Sequence, residues 1–155
     1  ISAINRKMDI ELISRFFAYS NDLNSYVGHV TNFVDRYIAK EGEDWNESKE
    51  KHFKAEFNNT MRFVQKYFDR GFQKEDRNQT PRVRFEAIAV GVNLALRDNP
   101  ELESVTTRDK IIEMLASDDF VRWTTTDAAN NKNKVIDRIY GVKNFLLTGI
   151  SLQSD

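Results

Sequence analysis

The sequence predicts an all-α fold, a single helical bundle of about five to seven helices in one domain. Three observations carry that expectation. Apolar residues recur at three- and four-residue spacing along most of the chain, strand-like alternation is nearly absent, and only 2 prolines and 6 glycines interrupt the 155 residues. The 11 phenylalanines supply a core large enough for independent folding.

The first helix is expected over about 9–20. Ile10, Ile13, Phe16 and Phe17 form its inner face, and Asp9 and Glu11 sit where the helix dipole favours anions. A second, over about 26–40, places Val30, Phe33, Val34, Tyr37 and Ile38 on one stripe, with Gly42 as a stop signal. The third reads longest, about 47–70, between Asn46 as N-cap and Gly71 as terminator. Phe53, Phe57, Met61, Val64 and Phe68 give it an aromatic stripe.

After a polar loop over 71–80, Thr80-Pro81 suits a helix start and Asn99-Pro100 an end. Phe85, Ile88, Val92, Ala95 and Leu96 line the core face between them. Thr106-x-x-Asp109 resembles a capping box ahead of Ile111, Ile112 and Leu115. A short Asp-capped turn holds Phe120 and Trp123, and a last helix over about 132–148 carries Val135, Ile136, Ile139, Val142, Phe145 and Leu146. Gly91 and Gly141 fall inside helices, where glycine costs about 1 kcal/mol relative to alanine. Close helix–helix approach explains why they are there. Phe57, Phe16, Ile88 and Ile139, central on their stripes, are expected to be buried.

Composition narrows the function. With no cysteine there is no disulfide, thiolate metal site or cysteine nucleophile, which fits a reducing cytoplasm. No apolar run approaches the ~20 residues that span a bilayer, so no membrane partner is expected. The net charge is −1, where a sequence-independent DNA binder usually carries a clear positive excess. The charge is unevenly placed: residues 41–56 are rich in acids, and 70–84 carry Arg70, Lys74, Arg77, Arg82 and Arg84. Because the chain opens on Ile1 rather than Met, it is read as a segment of a larger protein.

The stretch from Asn5 to Ala18 holds the pattern Arg-x-x-Asp-x-Glu-Leu-x-x-Arg-Phe-Phe-Ala. It resembles the junction in a bacterial defence family, the GmrSD-type modification-dependent restriction proteins, where a ParB-like, nucleotide-hydrolysing DGQQR domain hands over to a helical region. Arg84-Phe85-Glu86-Ala87-Ile88-Ala89-Val90-Gly91 is similar to that region's small-residue core helix. Phe120-x-x-Trp123 is similar to its late linker, and Val135-Ile136-Asp137-Arg138-Ile139 to its terminal helix. The chain has no Asp-Gly-Gln-Gln-Arg motif and no adjacent glutamines, and with only His29 and His52 it lacks an HNH nuclease signature. The resemblance therefore implies a non-catalytic accessory domain with no cofactor, whose partner is the N-terminal DGQQR-type domain of the same protein.

A nucleic-acid-binding helical module is the competing expectation. Its candidate backbone contacts are Arg77, Arg82 and Arg84 in the basic loop, with Lys132, Lys134 and Arg138 around the start of the last helix, whose free amides favour anions. The near-zero net charge makes solvated loops the simpler reading. A third, weaker expectation is a protein-interaction bundle unrelated to that family.

Metal and ion-pair readings are weighed in the same way. His52 and Glu56, four apart on one helix, are spaced to reach one ion, but two ligands make no site and a solvated face is simpler. Asp118-Asp119 is more cheaply explained by capping than by a cation. Arg15 and Arg138 lie among apolar positions, which points to structural ion pairs with carboxylates of other helices.

Overall fold

The computed structural model describes residues 3–74, 76, 80–125 and 127–149, with the backbone alone at 3–5. Seven helices and no strand occur among the described residues. They are α1 (Ala3–Asp22), α2 (Val30–Glu43), α3 (Glu47–Tyr67), α4 (82–98), α5 (Arg108–Ala116), α6 (Asp118–Trp123) and α7 (Lys132–Thr148). Short 3-10 turns at Leu23–Ser25 and Leu102–Ser104 follow α1 and α4. No helix among the described residues is long and apolar enough to cross a membrane.

Helix ends follow local chemistry, with shifts of register. Asn46 caps α3, its side chain accepting from the Lys49 amide at 3.0 Å. The cap of α6 is Ser117, through the Phe120 amide, rather than Asp118 or Asp119, which fall in its first turn, and Asn131 caps α7 through the Asn133 amide. Gly149, at φ 71°, closes α7 in the left-handed conformation that glycine adopts without strain. The cap of α5 is Thr107 rather than Thr106, whose hydroxyl instead donates to the Leu102 carbonyl. Pro81 occupies the N-cap of α4 in place of Thr80, and its carbonyl accepts the amides of Arg84 and Phe85.

Three expectations are corrected. α1 begins at Ala3, so Asp9 and Glu11 lie beyond its first turn, and Ile10 and Ile13 face solvent at 66 % and 38 % exposure. The inward face is instead Leu12, Phe16 and Tyr19. α2 starts at Val30 and runs through Gly42 to Glu43, leaving Ile38 exposed. α3 ends at Tyr67, ahead of Gly71, because buried Phe68 takes an extended conformation to reach the core. Phe16, Ile88 and Ile139 are fully buried, whereas Phe57 is only half-buried.

α4 and α7 form the central pair. α4 is continuous through Arg82–Phe85, Glu86–Val90 and Gly91–Asp98, and its middle segment is π-helical. A π turn shifts the helix's phase, so one helix can present apolar side chains to both flanks. Every residue from Phe85 to Asn93 is buried. Two apolar clusters result: Phe85, Ala89, Val90, Val135 and Ile139 join α1 and α2, while Ile88, Val92, Ala95, Val142 and Leu146 join α3, α5 and α6. Gly91 and Gly141 supply the close approach. A Cβ at Gly91 would lie 2.7 Å from Val142 Cβ, and one at Gly141 would lie 2.4 Å from Trp123 Cη2.

Candidate functional site

A groove of about 610 Å³ opens between α1, α2 and the first half of α3. Its origin is a packing mismatch: α2 packs on α1 and α3 packs on α4, so the two helices joined by residues 44–46 do not close on each other. Aromatic side chains line the space that remains. Phe17 lies 4.5 Å from Phe53 and 6.2 Å from Phe57 between ring centroids, and the Trp45 indole meets Phe53 edge-on at 5.2 Å. Ile13 and Ile38 complete the wall, and Trp45 is 48 % exposed.

Several of the polar side chains around it are paired with one another. Lys49 pairs with Glu41 at 2.9 Å and Asp44 at 2.5 Å, and Glu50 pairs with Lys54. Tyr37 accepts a hydrogen bond from the Asn21 amide at 2.7 Å, and burial pushes its phenol up to about 12. An apolar hollow of this size with few convergent polar groups is suited to receiving an apolar surface.

The second constellation is interior. Glu86, in the π-helical segment, holds Arg15 Nη1 on Oε1 at 2.6 Å and Arg138 Nη2 on Oε2 at 2.5 Å. Arg15 also reaches Glu11 at 2.8 Å, and Glu11 accepts from Arg82, whose hydrogen bond holds that carboxyl below the usual carboxylate range. Arg138 donates to the Ala129 carbonyl as well. Burial pushes the Tyr19 phenol up, and its ring packs edge-on against Tyr26 at 5.5 Å. Arg15 and Arg138 thus do pair with a carboxylate of another helix, and it is the same one. With both oxygens of Glu86 occupied by guanidinium groups, this cluster ties α1, α4 and α7 together.

Of the six candidate nucleic-acid contacts, five lie among the described residues. Arg77 lies outside the described residues. Arg82 is bound to Glu11, and the Arg84 guanidinium stands 5.1 Å from the Phe120 ring centroid. Lys132 is exposed at the start of α7, while Lys134 donates to the Asp127 carbonyl. Arg138 is a correction: it is 0 % exposed and bound to Glu86, so no phosphate reaches it without opening the helix packing.

His52 Nε2 stands 3.8 Å from Glu56 Oε2, and Arg97 holds the other oxygen of Glu56. Asp118 and Asp119 lie in the first turn of α6, with Asp119 bound to Arg122. Among the described residues no group of three His, Cys, Asp or Glu side chains is placed to hold a metal ion.

Sequence reasoning missed Glu86 as the shared partner, although a lone acid inside the apolar run 85–92 is the signal for it. It also missed the groove. Compared with known proteins, the chain matches no family, no curated protein and no solved structure.

Proposed function

We propose that this chain is a non-catalytic helical interaction domain that receives another protein surface in the aromatic groove between α1, α2 and α3. The observation that carries this reading is the groove itself, whose wall exposes Ile13, Ile38 and Trp45 next to half-buried Phe17 and Phe53. Contiguous exposed apolar surface of this kind marks interaction sites in soluble proteins. The buried charged side chains Glu86 and Arg138 are tied into ion pairs, which favours a structural role for them.

The quoted sequence segments alone extend the proposal to a setting. They favour an accessory domain of a DGQQR-type defence or restriction protein, supporting or coupling a nucleotide-hydrolysing domain in the cytoplasm.

The test combines two measurements on the purified chain. A neutral apolar dye such as Nile red is expected to bind, and Trp45→Arg is expected to abolish that binding. Turnover of GTP, ATP and CTP and nicking of plasmid DNA are expected to stay at the level of a heat-killed control. Turnover removed by replacing one carboxylate, such as Glu56→Gln, would overturn the reading.

A further inference from the structure

The groove does not stop at its own wall. On α1, Arg6, Ile10, Ile13 and Phe17 follow one another at helical spacing of four, three and four residues, so they share one side of the helix. Ile13 and Phe17 line the groove, and Ile10, 66 % exposed, prolongs it toward the start of α1. Arg6 stands at the end of that stripe, with exposed Lys7 and Asp9 on its two sides, a net positive tip. α1 therefore carries an apolar ridge with a basic tip, continuous with an apolar hollow.

The hollow carries the opposite charge. Between residues 41 and 50 five carboxylates, Glu41, Glu43, Asp44, Glu47 and Glu50, face one lysine, Lys49, which is shared by Glu41 and Asp44. Lys51 and Lys54 pair with Glu47 and Glu50 from the next turn. Glu43 has no ion pair among the described residues, so this end of the groove keeps an excess of negative charge.

We propose that the occupant of the groove is the first half of α1 from a second copy of this chain, in a two-fold arrangement. Each α1 lays Ile10 against the other copy's Phe17–Trp45 wall, and Arg6 and Lys7 reach the other's acidic segment at 41–47. Ridge and hollow lie on the same face, so one rotation satisfies both and closes the assembly at two chains. Trp45 is the anchor, since exposed aromatic side chains that become buried carry most of the binding energy at such contacts. The inference rests on the groove being an interaction surface and names what fills it.

Sedimentation equilibrium of the 155-residue chain tests it. A monomer–dimer equilibrium is expected that weakens as salt rises, because the charged rim is solvent-exposed. Ile10→Asp and Trp45→Ala are each expected to raise the dimer Kd by about tenfold or more. Arg6→Glu with Lys7→Glu is expected to weaken the dimer, and adding Glu43→Lys with Glu47→Lys to restore it. All these positions are exposed, so folding is preserved, and far-UV circular dichroism checks this.

A chain that stays monomeric at several hundred micromolar overturns the proposal, as does a dimer indifferent to Ile10→Asp and to the charge exchange. A monomer that still binds Nile red in a Trp45-dependent way leaves the groove as an interaction surface for a different partner. A monomer that binds no dye removes both readings.

Discussion

Gly141 and Trp123 touch so closely that the glycine has no room for a side chain: a Cβ there would stand 2.4, 2.5 and 2.6 Å from three indole carbons. Gly141→Ala gains up to about 1 kcal/mol of helix propensity. It also drives a methyl group into a buried ring, an overpacking that costs roughly 1–3 kcal/mol. A net loss of stability in urea melts is expected. Gly42 is the control. It lies inside α2 with nothing within 4 Å of a Cβ, so Gly42→Ala is expected to raise stability by about 0.4–1 kcal/mol.

Removing the carboxylate that two guanidinium groups share leaves Arg138 buried without its counter-charge. Breaking a buried pair from one side costs roughly 3–5 kcal/mol, which is expected for Glu86→Ala. The double variant Glu86→Ala with Arg138→Met is expected to be more stable than Glu86→Ala alone, since no orphaned charge remains. Equal melts for the single and double variants would show that an orphaned Arg138 charge is not what destabilises Glu86→Ala.

Stability is expected to fall at both ends of the pH scale through named groups. Tyr37 titrates at about 12 in the fold, mainly through burial, against about 10 in an unfolded chain. The folded state thus disfavours tyrosinate; Tyr37's contribution is complete below pH of about 10 and is lost as pH rises toward 12. Glu11 is shifted the other way by its hydrogen bond from Arg82, so its contribution is present above the ordinary carboxylate range and disappears as pH falls through its lowered value. Urea midpoints against pH check both directions, with Tyr37→Phe flattening the alkaline limb and Arg82→Ala the acidic one.

Duplex DNA is expected to bind weakly and to dissociate readily in salt. The net charge is −1, Arg82 is engaged by Glu11, and Arg138 is interior. Fluorescence anisotropy with a labelled duplex at two salt concentrations measures this. Tight binding that survives high salt and is lost on Lys132→Glu would make the start of α7 a nucleic-acid contact.

Much of the helix order was legible because local chemistry writes it. Asn46 and Asn131 cap by their own side chains, Asn99-Pro100 follows the end of α4, and α7 spans the predicted residues. The helical glycines announced close packing. What stayed hidden depends on partners distant in sequence. On α1 both faces are apolar, so periodicity does not distinguish the inward Leu12–Phe16–Tyr19 set from the outward Ile10–Ile13 set. That choice is made by Glu86, 71 residues beyond Arg15, which draws the guanidinium inward. The groove was less visible still. It arises from two helices that each found a different neighbour, and a sequence states which residues are apolar but not which remain unmatched.

The pairing of α4 with α7 also governs how the molecule comes apart. Both helices run through both apolar clusters, so neither cluster keeps its walls once the central pair separates. Unfolding is therefore expected to be a single cooperative transition, with no half-molten form in which α1 and α2 outlast α5 and α6. Emission from Trp123 in a Trp45→Phe background, and loss of helical ellipticity across the chain, should trace the same denaturation curve. A chain cut at Gly141 would lose Val142, Phe145 and Leu146 from one cluster and unseat the helix that carries Ile139 into the other, so neither half is a folding unit by itself.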